Sequence, residues 1–218
     1  MPDKISLREA ERKVFQSSFN DGLWDILLGG FVTMFAIAPL LSASLGDFWS
    51  SAIFLPIWGV LYLAIWLTRK LVISPRIGTV SFGKVRKNKL RKFTWLMLAF
   101  NGIVFIFGCL VALNLIRIPG WGMTSLFGLM LLAGFSLAAY LLDFPRLYLY
   151  GLLLFVAAPI GEWLRTEFGA THHGYPIVYG VAAGVMILTG LVAFVLFLKD
   201  NPVIPIPADG APNERTGA

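Results

Sequence analysis

The run IVYGVAAGVMILTGLVAFVLFL, residues Ile177–Leu198, contains 22 residues and no charged side chain. A helix needs about 20 apolar residues to cross the hydrocarbon core of a bilayer, so this run predicts a transmembrane helix. Five more runs of similar character cover residues 23–41, 49–67, 93–116, 121–142 and 147–163. The sequence therefore predicts an all-α integral membrane protein with six transmembrane helices, within a domain over residues 21–198.

The overall composition excludes two other classes of protein. Hydrophobic residues make up 57% of the 218 residues and charged residues 14%, against roughly 45–50% and 25% in soluble domains. The mean hydropathy is +0.76. A soluble domain of this size cannot bury so much apolar surface, and a disordered chain has the opposite composition. A soluble enzyme and a disordered chain are therefore both excluded.

The fifth run is the shortest and carries Pro159 and Gly161 near its end. The turn residues Asp143–Arg146 before it predict a helix on either side. A five-helix arrangement would change the distribution of charge only slightly, so the charges alone do not decide between five helices and six.

The basic residues are distributed unevenly between the segments that flank the predicted helices. One set of segments holds 16 of the 18 lysines and arginines, and the other holds only Arg117 and Arg165. Cytoplasmic segments carry the excess of Lys and Arg in membrane proteins, so both termini are predicted to be cytoplasmic. This topology accounts for the net charge of +6, and no nucleic-acid partner is expected.

Residues 1–20 and 199–218 differ in composition from the membrane domain. Ser6-Leu-Arg-Glu9 fits a capping box, and Leu7, Ala10 and Val14 share one helical face. We therefore expect an amphipathic helix lying on the inner leaflet. The tail after Lys199 contains four prolines and is predicted to be disordered.

Two aspartates stand where the chain enters the first transmembrane helix. Asp21 is placed to cap the helix, and Asp25 lies in the first turn, where the helix dipole favours a carboxylate. The alternative is an acidic pair that binds a basic partner or an ion. A contact with Arg76 is one form that such a pair could take.

The long loop over residues 69–92 combines β-type runs with a concentration of positive charge. Leu71–Ser74 and Thr79–Phe82 flank the turn residues Pro75 and Gly78, so the sequence predicts a short cytoplasmic β-hairpin. A basic run follows, with six basic residues in nine positions and no acid: Lys84, Arg86, Lys87, Lys89, Arg91 and Lys92. This run, together with Arg76, is expected to bind anionic lipid headgroups or a partner protein.

Two segments carry a family resemblance. The start Asp21-Gly-Leu-Trp-Asp25 and the segment Ser74-Pro-Arg-Ile-Gly-Thr-Val-Ser-Phe82 resemble an uncharacterised family of small prokaryotic multi-pass membrane proteins. The resemblance covers about the first half of the chain. It implies a prokaryotic plasma membrane as the location, but it implies no activity. The residues to which it directs attention are Asp21, Gly22, Asp25, Pro75, Arg76 and Gly78.

A few residues within the predicted helices could form a solute pathway or a packing surface. Asn101, Pro56 and Pro159 are the candidates for a pathway, because prolines break helices and an amide can bind solute. Gly180 and Gly184 form a GxxxG pattern that lets two helices approach closely. That pattern is compatible with a homo-dimer and equally with packing inside one chain.

The segment over residues 161–174 contains four residues of metal-binding types: Glu162, Glu167, His172 and His173. Adjacent histidines converge on one metal only if the backbone bends, and no diagnostic ligand spacing is present. No Walker loop, GxSxG, HExxH or CxxC motif occurs either. The sequence therefore predicts no cofactor and no enzyme, with a metal-dependent enzyme as the third hypothesis.

The first hypothesis is a non-enzymatic membrane module whose basic cytoplasmic face binds anionic lipid or a partner membrane protein. The second is a transporter or channel subunit for a neutral or apolar small solute. The sequence leaves both open.

Overall fold

The computed structural model describes residues 19–77, 84–113 and 120–202, and within them it is all helical. Helix α1 is Leu23–Ala52, and α2 begins with Phe54–Thr68 and continues through a π-helical stretch, Arg69–Ile73, and a last turn, Ser74–Ile77. Helices α3, α4 and α5 are Lys84–Ala112, Gly120–Leu142 and Arg146–Phe168. A 3₁₀ turn, Thr171–Gly174, leads into α6, Tyr175–Asp200.

Six spans in the described residues are long and apolar enough to cross a membrane. This confirms the prediction of six helices, and it includes the fifth, which runs for 23 residues through Pro159. Prolines are tolerated in membrane helices because neighbouring groups satisfy the freed backbone. The side of the membrane on which each terminus lies stays a prediction, and residues 1–18 and 203–218 of the predicted amphipathic helix and tail lie outside the described residues.

The strand predicted over Leu71–Ser74 is wrong, because this segment is helical and extends α2. Ile73 is buried there against Leu23 and Phe197. The β-branched residues thus follow the apolar face of the helix, and burial overrides their intrinsic preference for strands. The second predicted strand, Thr79–Phe82, lies outside the described residues, which contain no strand.

Two helix boundaries also differ from the predicted ones. Helix α3 begins at Lys84 rather than near residue 93, so the basic run forms its first turns. Helix α1 continues past residue 41 to Ala52, with a kink at Gly46, where φ is 77°. Arginine and lysine have good helix propensity, so the end of the apolar run is not the end of the helix.

The bundle is held together mainly by the pairing of α1 with α6 and of α4 with α5. Small residues make this close approach: a Cβ on Gly29 would lie 2.6 Å from Cγ1 of Ile187, and one on Gly128 would lie 3.1 Å from Cβ of Ala158. Gly180 of the GxxxG pattern faces Ala36 at 3.7 Å, whereas Gly184 faces open space. Gly180 therefore takes part in packing within the chain.

Candidate functional site

A network of ion pairs lies at one end of the bundle, which we call the aspartate end and define by Asp21, Asp25, Arg69, Arg146 and Tyr150. Asp21 is 1% exposed. Its Oδ1 accepts the backbone N–H of Leu23 at 3.1 Å, and its Oδ2 accepts Nη2 of Arg69 at 2.6 Å. Arg69 begins the π-helical stretch of α2, so this pair joins α2 to the start of α1.

Asp25 is fully buried and joins α1 to α5. Its Oδ2 accepts Nη1 of Arg146 at 2.8 Å, and its Oδ1 accepts the hydroxyl of Tyr150 at 2.9 Å. Arg146 and Tyr150 are four residues apart on one helix, which places them on the same face. Both carboxylate oxygens are therefore bonded, as a buried charge requires.

The two aspartates both stabilise the start of α1 and bind basic partners, which the sequence analysis treated as alternatives. Gly22, with φ of 74°, occupies the N-cap position, and Asp21 bonds the first backbone N–H from one residue further out. Asp25 lies in the first turn of α1, where the dipole favours it. The basic partners are Arg69 and Arg146, which sequence reasoning did not assign. Both arginines were predicted to lie on the same side of the membrane as the aspartates, and this was the feature of the sequence from which the pairs could have been inferred.

Arg76 has other partners than the aspartates expected for it. Its Nη1 donates to the backbone carbonyls of Asn201 at 2.8 Å and Leu198 at 3.2 Å. The last carbonyls of a helix lack partners within it, and a cation there also matches the dipole. Arg76 therefore ties the end of α2 to the end of α6. Pro75 beside it is exposed, and Gly78 lies outside the described residues.

A groove of about 780 Å³ lies between the start of α3 and the end of α4. Its lining consists of Arg91, Lys92, Trp95, Leu96 and Leu141. Both basic side chains are exposed. We call this feature the basic groove. It lies at the aspartate end, because α4 ends just before the turn that leads to Arg146.

The other basic residues of the run, Lys84, Arg86, Lys87 and Lys89, belong to the first turns of α3. The structure describes their backbone only. Of the predicted lipid- or partner-binding residues whose side chains the structure describes, Arg91 and Lys92 line the basic groove, whereas Arg76 bonds the end of α6.

A second polar cluster lies at the opposite end of the bundle, which we call the glutamate end. Glu162 is fully buried. Its Oε1 accepts both Nε and Nη2 of Arg165, the former at 3.0 Å, and its Oε2 lies 2.8 Å from Nδ1 of His173. Gly120 begins α4 beside this carboxylate, where a Cβ would lie 3.2 Å from Oε1. The start of a helix adds favourable dipole charge to the site.

His173 is held against Glu162 by an unusual backbone. His172 and His173 both have left-handed φ, at 52° and 55°. Gly174 follows with φ of 64°, and a Cβ on it would lie 3.0 Å from Cα of Gly161. Residues other than glycine seldom adopt this conformation, and they do so where the surrounding structure enforces it.

The four metal-type residues of this segment do not all come together. Glu162 and His173 bond each other, whereas Glu167 and His172 are exposed. In the part of the chain that the structure describes, no group of three or more His, Cys, Asp or Glu side chains could hold a metal ion. The described residues thus give the metal-dependent hypothesis no support.

The three solute-pathway candidates are dispersed over the bundle. Asn101 is exposed on α3, and its Nδ2 donates to the carbonyl of Met97 at 2.8 Å within the same helix. Pro56 is exposed on α2, and Pro159 is half-buried in α5. None of them lines the basic groove or the groove at the glutamate end described below.

The fold and these clusters define a helical protein of the multi-pass membrane type with buried polar networks at both ends. Comparison of the chain with protein-family models, with curated proteins and with solved structures finds no match. The resemblance of its first half to a prokaryotic membrane family stays a prediction.

Proposed function

We propose that this protein is a non-enzymatic membrane module that binds an anionic lipid at the basic groove. The observation that supports this best is the juxtaposition of Arg91 and Lys92 with Trp95, Leu96 and Leu141 around one open groove. Two cations at the mouth and an apolar wall below match a phosphate headgroup and the first part of an acyl chain. Tryptophan at this level is typical of the membrane interface.

The electrostatics of the aspartate end support the same ligand. Arg69 and Arg146 are bonded to buried carboxylates, so their charge is largely balanced within the protein. Arg91 and Lys92 form no ion pair with another described residue. Lys70 and Lys199 are also exposed at this end, but only Arg91 and Lys92 lie together at one groove, where a single ligand can contact both.

The side of the bundle that the groove occupies favours a lipid over a soluble anion. No residue in the membrane window of α3 is buried, so this helix faces the surroundings along its length. If the aspartate end is cytoplasmic, as the basic residues predict, the groove opens toward the leaflet that carries anionic lipid. A basic residue near that surface contributes about 1 kcal/mol of attraction.

The experiment compares Arg91→Gln/Lys92→Gln with Lys70→Gln/Lys199→Gln, which removes two exposed lysines at the same end outside the groove. Each protein is placed in nanodiscs of equal parts phosphatidylglycerol and phosphatidylcholine. Retained lipid is then measured by native mass spectrometry. At about 1 kcal/mol for each charge, we expect the groove variant to lose preference for phosphatidylglycerol by roughly 30-fold. The control should lose clearly less, because retained lipid reports headgroups held at a site rather than the general attraction of a basic surface.

Equal loss in both variants would show that only the net charge of this end matters, and the specific site would be rejected. Unchanged retention in the groove variant would reject lipid binding there. A partner protein would then be the better candidate for this surface.

A further inference from the structure

A second groove, of about 410 Å³, lies at the glutamate end between α1 and the turn that carries the two histidines. Its volume is within the range of about 300–1,000 Å³ that ligand sites occupy. Sequence reasoning did not identify it, because its wall combines residues from positions 34–51 and 172–175. The kink at Gly46 returns Ser50 and Ser51 to the same wall as Ser42.

The wall of this groove changes character along its length. Met34, Phe35 and Pro39 line it toward the middle of α1, and Ser42, Ser51 and His173 line it toward the end of the bundle. One helical residue advances by about 1.5 Å, so residues 34 and 42 are separated by about 12 Å along the axis. The groove is therefore amphipathic, with an apolar inner part and a polar rim.

The geometry of His173 indicates which headgroup the rim would bind. Glu162 engages Nδ1 at 2.8 Å, and Nε2 has no hydrogen-bond partner among the described residues. Arg165 also bonds Glu162, so it offsets the negative charge behind the imidazole. Nε2 is therefore the imidazole atom that can share a proton with the carboxyl group of a ligand, and the acidic side chain behind the imidazole is already paired.

Tyr179 packs behind the aromatic part of the groove wall but does not itself line the groove. It is fully buried, and its ring lies 5.6 Å from that of Phe35 and 5.3 Å from that of Tyr175, both of which line the groove. Its hydroxyl is buried without a hydrogen-bond partner in the described part of the chain. Buried hydroxyls are nearly always bonded, so a water molecule is the expected partner of the Tyr179 hydroxyl.

We propose that this groove binds a single-chain carboxylate amphiphile. The hydrocarbon chain lies along Met34, Phe35 and Pro39, and the carboxyl group forms a hydrogen bond with Nε2 of His173. The proton of this hydrogen bond is the one that the free acid brings with it. This site is separate from the basic groove and does not depend on the lipid proposed there.

The probe is a photoactivatable 12-carbon fatty acid, which is small enough for a groove of about 410 Å³. It is crosslinked to the purified protein in phosphatidylcholine nanodiscs, and labelled peptides are mapped by mass spectrometry. Ser42→Trp fills the groove, and Ser44→Trp places the same side chain on an exposed position of the same helix. We expect labelling of the peptide that contains Met34 and Phe35, with at least a tenfold loss in the Ser42 variant only.

The headgroup is tested by competition with dodecanoate and dodecanol. Dodecanoate should compete better. His173→Ala should remove that advantage, whereas Glu167→Ala, at an exposed position of the same end outside the groove, should retain it. Equal competition by the two compounds in the native protein would overturn the assignment of the carboxylate. If Ser42→Trp does not reduce the labelling, the proposed site is wrong, and this readout is independent of the His173 variant.

Discussion

Oδ2 of Asp25 lies 2.8 Å from Nη1 of Arg146, and this pair links two residues that are 121 positions apart in the chain. It joins the first turn of α1 to the first turn of α5. Both helices begin at the aspartate end, so the ion pair, together with Tyr150, fixes their relative height. Phe19 stacks on Phe144 beside it, with ring centroids 5.5 Å apart.

Removal of this ion pair should destabilise the protein. In Asp25→Asn, Arg146 keeps its charge and loses its partner. Breaking a fully buried pair costs about 3–5 kcal/mol, and we expect about 2 kcal/mol here because the side chain of Arg146 is 33% exposed. The free energy of unfolding in detergent is the measurement. Asp200→Asn, an exposed carboxylate at the same end, is the control.

The double variant Asp25→Asn/Arg146→Gln tests whether the cost comes from the pair itself. We expect it to be less destabilised than the sum of the two single variants, because neither charge is then left without its partner. Strict additivity would contradict the coupling inferred from the geometry.

Tyr150→Phe should destabilise the protein by about 1.5–3 kcal/mol. The variant keeps the ring but removes the hydroxyl that bonds Oδ1 of Asp25 at 2.9 Å, and hydrogen bonds to charged groups contribute about this much. Tyr148→Phe removes a hydroxyl from an exposed residue of the same helix and should change the unfolding free energy by less than about 0.5 kcal/mol. Equal effects of the two substitutions would contradict a stabilising hydrogen bond from Tyr150 to Asp25.

Gly22→Ala should be far more destabilising than Gly46→Ala, although both glycines have positive φ, at 74° and 77°. A Cβ on Gly22 would lie 2.8 Å from the backbone nitrogen of Phe194 in α6, whereas one on Gly46 meets nothing within 4 Å. The Gly46 variant therefore reports the conformational cost alone. That cost is about 1–3 kcal/mol, because φ of 77° with ψ of 161° is a conformation essentially restricted to glycine. Thermal unfolding of the two variants measures the difference, and similar midpoints would contradict the close packing of α1 on α6.

Gly174→Ala should move His173 away from Glu162, because the new Cβ would press against the backbone of Gly161. Gly169→Ala is the matched control, since Gly169 has the same φ of 64° and faces open space. The imidazole NMR signals of His173 are the measurement. They should shift in the Gly174 variant and stay unchanged in the control. A shift of equal size in both would show that the 3₁₀ turn is not held by this contact.

The six helices were predictable from the sequence because hydrophobicity alone identifies a segment that must cross a membrane. The same runs did not locate the helix ends: α2 extends to Ile77 and α3 begins at Lys84. Helical hydrogen bonds continue beyond the apolar run where the next residues have adequate helix propensity or pack against a neighbouring helix. The β-type residues Leu71–Ile73 illustrate this, since Ile73 is buried against Phe197.

The sequence by itself determined the number of helices, the basic character of the loop between α2 and α3, and the residue types available at each end. It did not determine that Asp25 bonds Arg146, that Arg76 bonds the end of α6, or that Glu162 engages His173. Membrane insertion depends on the composition of each segment taken alone, whereas these pairs depend on which helices become neighbours. That choice is made by close contacts such as Gly22 on Gly190, which only the tertiary structure reveals.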